Sequence, residues 1–145
     1  MRAPYNTLIL PYIISAGRCE FAVFHRADGS MVQFLAGGGE DDESPFEAAR
    51  REAYEEAGID VALDNWIELD SKASIPREAF PGANWPADIH VVTEHAFAVR
   101  VTERELVLSG EHERYQWLSY DMARGVLTWD SNRVALFELD RRLAT

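Results

Sequence analysis

GGGEDDESPFEAARREAYEEAGI, residues 37–59, decides how this 145-residue chain is read. Ser44-Pro45-Phe46-Glu47 opens a helix. Ser44 stands at the N-cap, Pro45 at the first helical position, and Glu47, three residues past the cap, closes a capping box. Gly58 is a natural C-terminal stop. Between them Phe46, Ala49, Ala53 and Ala57 share one face through spacings of three and four. Glu52, Glu55 and Glu56 crowd a neighbouring face at i, i+3 and i+4.

Like charges at that spacing destabilise a bare helix. Nine carboxylates lie from Glu40 to Asp60, against two cations, Arg50 and Arg51. An acidic helix face is ordinarily a solvated one, and Arg51 has Glu47 or Glu55 within pairing distance along the helix. The other reading is a divalent cation: carboxylate oxygens, completed by water and substrate phosphates, are what Mg²⁺ takes. Gly37-Gly38-Gly39 is expected to be a loop ahead of the helix, where the backbone turns sharply and comes close to a ligand. The full spacing weighs against mere solvation. It runs Gly37, five residues, Glu43, seven, Arg51-Glu52, two, Glu55-Glu56, one, Gly58, Ile59. Seven fixed identities at average usage would recur by chance on the order of once in 10⁸ to 10⁹ windows.

This stretch resembles the signature of the Nudix hydrolase superfamily, GX5EX7REUXEEXGU, and matches it at every charged and glycine position; Ala53 stands where a bulkier apolar residue is usual. The resemblance implies a metal-dependent pyrophosphohydrolase acting on a nucleoside diphosphate linked to a further group. It implies Mg²⁺ or Mn²⁺ held by Glu52 and Glu56, one helical turn apart. Glu55 is then a further ligand or the group that orients water, and the Gly37 carbonyl completes the set. Arg51 and Glu43 form a structural ion pair, Arg51 is grouped with Glu55 and Glu56 as catalytic, and a nearby glutamate is the general base. The C-terminal third carries a second resemblance. Glu111-His112, Tyr115-Gln116-Trp117-Leu118 and Trp129-Asp130-Ser131-Asn132-Arg133 look like the branch of bacterial Nudix enzymes acting on dihydroneopterin triphosphate and dATP. That implies Glu111 in the metal site and Asn132 on the substrate. His25, where an arginine is common, is assigned to substrate as well.

Composition bounds the rest. The length suits one domain over residues 1–145, and 47% hydrophobic with 27% charged residues is ordinary for a soluble globular protein. Cys19 is the single cysteine, so no internal disulfide forms, which suits a reducing cytoplasm. Pro11 interrupts the N-terminal apolar residues, and no signal peptide or membrane span is expected. The net charge of −11 argues against a nucleic-acid polymer as partner. A small phosphorylated substrate fits, since bound metal reverses the local sign. The chain is expected to act as a monomer or homodimer. His25, His90, His95 and His112 are scattered and make no metal constellation.

Strands are expected at Thr7–Ser15, with Pro11 at an edge or bulge, at Glu20–His25, at Met31–Leu35, around Trp66–Leu69, at Ile89–Val101 and at Tyr115–Leu118. A helical turn is expected at Ser119–Gly125. A C-terminal helix capped by Asp130 or Ser131 carries Ala135, Leu136, Leu139 and Leu143 on its apolar stripe. Strands interleaved with two helices give an α/β class, which agrees with the Nudix α/β/α sandwich, a mixed sheet between helices. Ser74 to Asp88, with three prolines, Phe80 and Trp85, reads either as a loop closing over a site, with Trp85 stacked on a base or pterin ring, or as a loop tucked onto the core through those two aromatics. The leading functional expectation is hydrolysis of a nucleoside or pterin triphosphate to monophosphate and pyrophosphate. The alternatives are a dinucleotide (ADP-ribose-type) pyrophosphatase, which Pro76 faintly favours, and a non-catalytic nucleotide-sensing module, against which the four glutamates of the box count.

Overall fold

The computed structural model describes residues 1–110 and 112–144, with the backbone alone at Glu113. In chain order the elements are β1 (Arg2–Ser15), β2 (Arg18–Arg26), β3 (Val32–Gln33), β4 (Leu35–Glu40), α1 (Pro45–Ala57), β5 (Trp66–Pro76), β6 (Val91–Arg100), β7 (His112–Leu118), α2 (Tyr120–Val126) and α3 (Asp130–Leu143). The strands make one mixed seven-stranded sheet in the order β3-β2-β1-β6-β5, with β4 also on β1 and β7 also on β2. β1 and β6 run parallel and the other pairs antiparallel.

Alternation along the central strand divides the core in two. Leu8, Leu10 and Tyr12 of β1 join Phe21, Val23, Ala96 and Ala98 under α2 and α3. Ile9 and Ile13 join Phe24, Leu35, Phe97 and Val99 under α1. The class is therefore α/β with helices on both faces. Among the described residues no helix is long and apolar enough to cross a membrane.

Two local expectations are corrected. Pro11 suggests an edge or a bulge, yet β1 is central. It pairs with β4 through Ile9 and with β2 from Tyr12, so Pro11 falls between the two partners, where a missing N–H breaks no antiparallel rung. The glycine run is a strand, not a loop. Gly37 pairs with Thr7 and Gly38 with Asn6. A strand of glycines is weak by itself, but here it lets side chains of α1 and β1 lie directly on its backbone.

β5 is longer than expected and irregular, its register with β6 shifting between Glu68 and Lys72. The amides freed there are not wasted. Asp70 N and Ser71 N donate to the Glu138 carboxylate of α3 at 2.7 and 2.8 Å, and the Ser71 hydroxyl donates at 2.5 Å. Burial opposes the charge, but these donors and Arg142 outweigh it and draw the Glu138 carboxyl down to about 2. Its stabilising effect is complete above the ordinary glutamate range near 4.5 and is lost as pH falls towards 2. Glu138→Gln should therefore cost about 1–2 kcal/mol in denaturant unfolding at pH 7, and the gap from wild type should narrow between pH 4.5 and 3. A gap unchanged at pH 3 would refute the assignment.

The segment between β5 and β6 is tucked onto the molecule. Arg77 donates to the carbonyls of Pro86, Ile89 and Trp85 at 2.7, 3.2 and 2.9 Å. Trp85 is buried, packs edge-on to Phe80, and donates from Nε1 to Arg2 O at 2.8 Å. Trp85→Ala should cost about 3 kcal/mol, a fall in Tm of about 6–12 °C, with KM little changed. A raised KM at unchanged Tm would restore the stacking role.

Candidate active site

β4 and the turn at residues 41–44 deliver the chain into α1. Both halves of the capping box are formed: Glu47 N donates to Ser44 Oγ at 3.2 Å and Ser44 N donates to Glu47 Oε1 at 2.8 Å. Gly58 closes the helix in the left-handed region, at φ 67°. Ala49, Ala53 and Ala57 are buried against Ile9, Phe24, Leu35 and Phe97. Three alanines on one face bring the helix close to the sheet, and Ala53, in the position usually held by a larger residue, is fully buried.

This seating turns Glu52 and Glu56 towards β4 and Glu55 towards solvent. Glu56 is 7% exposed, whereas the Glu55 side chain is 53% exposed. The Glu52 side chain lies on Gly37, where an added Cβ would stand 2.5 Å from Oε2. Gly38 is covered in the same way by the Arg2 guanidinium and Gly39 by the Tyr5 ring. The Glu52 carboxyl lies close enough to that of Glu56 to interact with it. Burial raises the Glu52 carboxyl above its usual range, while Glu56 and Arg51 pull it the other way. The Gly37 carbonyl is oriented by the Thr7 hydroxyl, which donates to it at 2.8 Å.

Arg51 ties the arrangement together. Its guanidinium meets Glu43 in a two-pronged pair, Nε to Oε2 at 2.8 Å and Nη2 to Oε1 at 2.9 Å. Nη2 also reaches Gly38 O at 2.9 Å, and Nη1 reaches Glu52 Oε1 at 3.0 Å and Glu55 Oε2 at 3.2 Å. The pair with Arg51 pulls the Glu43 carboxyl down. Glu43 O in turn accepts the Tyr5 hydroxyl at 2.7 Å.

Two carboxyl groups in contact, with a fixed carbonyl-bearing glycine pressed against one of them, are a donor set of the hard-oxygen kind that suits a divalent cation. A cation there would relieve the repulsion that two ionised carboxylates at this spacing would suffer. Glu52 and Glu56 would hold it, with the Gly37 carbonyl beside them. Among the described residues no three His, Cys, Asp or Glu groups are already gathered round one point. Glu111, the ligand expected from outside α1, lies outside the described residues. The chain that leads to it is anchored on the end of α1, where Val107 N donates to Ala57 O and Ser109 N to Glu56 O, both at 3.1 Å.

The other expected residues are spread further. Asn132, near the start of α3, is buried, and its Oδ1 accepts Phe34 N at 2.8 Å, joining α3 to the chain between β3 and β4. His25, on β2, is half-buried, with Nε2 2.7 Å from Gln116 Oε1 of β7. No described contact joins either residue, or Trp85, to the α1 carboxylates. A surface groove of about 450 Å³ runs along α1 past Glu47, Arg50, Arg51, Tyr54 and Trp66, and none of Glu52, Glu55 and Glu56 lines it.

Sequence reasoning passed over Arg2, Tyr5, Asn6 and Thr7 of β1, which hold the glycine strand and its carbonyls. A signal was present: three consecutive residues with polar groups, Tyr5-Asn6-Thr7, behind Arg2 and Pro4 at the start of an otherwise apolar strand.

Comparison with known proteins agrees with this geometry. The NUDIX domain model matches residues 13–138. A solved structure of a Listeria monocytogenes protein assigned as a NUDIX hydrolase superposes with a TM-score of 0.87 at 42% identity, over 98% of this chain and 95% of that one. The Escherichia coli (strain K12) dihydroneopterin triphosphate diphosphatase is 26% identical over 137 residues, 93% of this chain and 91% of its own length. The solved structure of the E. coli dihydroneopterin triphosphate pyrophosphohydrolase superposes with a TM-score of 0.73 at 26% identity, over 96% and 97% of the two chains. With its signature carried on a capped helix whose glutamates meet the glycine strand, the chain belongs to the NUDIX family of pyrophosphohydrolases.

Proposed function

We propose that the protein hydrolyses a nucleoside or pterin triphosphate to the monophosphate and pyrophosphate, with Mg²⁺ or Mn²⁺ as cofactor. The observation that carries this reading is the contact between Glu52 and Glu56 beside Gly37. The similarity to dihydroneopterin triphosphate diphosphatases over nearly the whole chain supports the triphosphate class. The single cysteine and the charge of −11 fit a small phosphorylated substrate in the cytoplasm.

Glu52 and Glu56 would hold the cation, which there would offset phosphate charge and make water a better nucleophile. The remaining work falls to the chain. Arg51 keeps Glu52 and Glu55 in place while its own charge is held by Glu43. Glu55, at the exposed rim, orients water or takes its proton as the phosphorus–oxygen bond to the leaving pyrophosphate breaks. Asn132 holds the start of α3 against the sheet, and it and His25 are the proposed substrate contacts.

A panel of nucleoside and pterin triphosphates with Mg²⁺, with pyrophosphate resolved from orthophosphate, tests the reading. Pyrophosphate and a monophosphate are expected, and orthophosphate as the sole product would overturn it. The resemblance to the dihydroneopterin triphosphate branch picks Glu111, four residues before Tyr115, rather than Glu113, as the carboxylate supplied from outside the helix. Glu111→Gln should depress kcat, and extra Mg²⁺ should recover part of the loss if it is a ligand. Glu113→Gln should be nearly silent. The opposite pattern would shift the assignment by two residues.

A further inference from the structure

α3 spends one face on the sheet and leaves the opposite face uncovered. Asn132, Ala135, Leu136 and Leu139 are its buried residues. With 3.6 residues per turn, Asp130, Val134, Phe137 and Arg141 project on the other side of the helix axis, within about 60° of one another. All four are exposed, and with Arg142 they are the whole exposed set of the helix. Val134 is 58% and Phe137 49% exposed. The outermost positions of a surface helix are normally polar, and valine and phenylalanine are weaker helix formers than alanine, lysine or glutamate. Single exposed apolar residues are ordinary. Here two share the centre of one stripe, whose spacings of four, three and four are those of a helix seam.

The two ends of the stripe carry opposite charges. Asp130 stands in the first turn, its side chain 93% exposed, and Arg141 in the last turn. The other arginines of α3 are paired within the chain, Arg133 with Asp130 and Arg142 with Glu138 and Asp70. Arg141 makes no ion pair among the described residues, and its guanidinium lies over the Phe137 ring, 4.8 Å from the centroid.

This pattern is complementary to itself in one orientation. The point midway between Val134 and Phe137 is also midway between Asp130 and Arg141. A two-fold axis through that point, with the helices antiparallel, sets Val134 against Phe137 of the partner subunit and Asp130 against Arg141 of the partner subunit, each contact made twice. A parallel pairing would instead oppose Asp130 to its own copy and Arg141 to its own copy, which like charges disfavour.

We propose that the outer face of α3 is an antiparallel homodimer interface, its occupant a second copy of this chain. This goes beyond the triphosphate reading and does not depend on it. One helix face from each subunit is a small interface, at the weak end of specific association, so a Kd of about 10–100 μM is expected. The net charge of −11 repels two copies at low salt, and about 0.15 M salt screens that long-range term while sparing contacts at close range.

Sedimentation equilibrium of the full chain in that salt, from about 1 to 500 μM, tests the proposal without turnover or metal, so it stays readable whatever the triphosphate panel returns. Wild type should pass from one chain to two across this range. Asp130→Arg and Arg141→Asp each make two attractive contacts repulsive, and each should weaken the dimer by about 10-fold or more. Mixed one to one, the two variants should associate with each other about as tightly as wild type, because every pair across the axis is again opposite in sign. Both sites are exposed, so Tm at low concentration should stay close to wild type. Should Asp130→Arg loosen the first turn of α3, Phe137→Ser removes the apolar centre with both charges in place and should weaken the dimer to a similar degree. A wild type monomeric throughout, a dimer indifferent to Phe137→Ser or to both charge changes, or a mixture no tighter than the single variants would overturn the proposal. So would a mixture clearly tighter than wild type, the mark of a parallel pair.

Discussion

Glu56→Gln should lower kcat by about 10²–10³-fold at saturating Mg²⁺ without harming the fold. Glutamine has the same size, and its amide can make a hydrogen bond to Glu52, whose carboxyl Glu56 meets in the wild type. The variant also removes one of two acids in contact, the buried one, so its Tm without metal should equal or exceed that of wild type. Metal then separates the two proteins. A ligand that binds the native state alone stabilises it by mass action, so Mg²⁺ or Mn²⁺ should raise the wild-type Tm and have much less effect on the variant. Near-normal turnover, or an equal metal response in both proteins, would remove Glu56 from the site.

The helix that carries these residues was legible almost to the residue. Ser44, Pro45, Glu47 and Gly58 are local signals that act within a turn of where they stand, and the capping box and left-handed glycine are both formed. The glycine strand was not legible. Gly37, Gly38 and Gly39 have high freedom as isolated residues, and only the partner strand β1, some 30 residues earlier, makes them extended. The start of α3 missed by one residue. Trp129 is its N-cap, without a side-chain bond, because the backbone carbonyl of Trp129 takes the amides of Asn132 and Arg133. Glu94 lay within reach of pattern reading. In β6 it shares the buried phase of Val92, Ala96 and Ala98, so a charged residue on the inward face was visible as alternation alone. Its pairing with Asn6, 88 residues away, was not. The Trp85 loop had two readings in sequence, and the bonds that settle its packing come from Arg77 and Arg2, neither of which carries a local signature.

Gly37→Ala should be nearly as damaging to catalysis as loss of a ligand, about 10²-fold in kcat, although it removes no functional group. The added methyl would stand 2.5 Å from Glu52 Oε2 and overlap the body of that carboxyl. Glu52 is poorly able to retreat, since Arg51 Nη1 holds it at 3.0 Å and Glu56 lies on its other side. Nor can β4 move cheaply. Its Gly37 carbonyl is bound by Thr7, and its neighbours Gly38 and Gly39 are covered by Arg2 and Tyr5. Overpacking of this kind costs about 1–3 kcal/mol, so a modest fall in Tm should accompany the loss of activity. Gly110→Ala is the control, because nothing lies within 4 Å of a Cβ at that position. A second change separates crowding from a general weakness of the strand. Glu52→Asp shortens the side chain that the methyl strikes, so the double variant should recover the stability lost by Gly37→Ala while staying inactive, a coupling of opposite sign in stability and turnover. If Gly37→Ala keeps wild-type kcat, or if Glu52→Asp restores none of its Tm, then Glu52 does not rest on Gly37 in the working enzyme, and the carbonyl of the glycine strand has no part in the site.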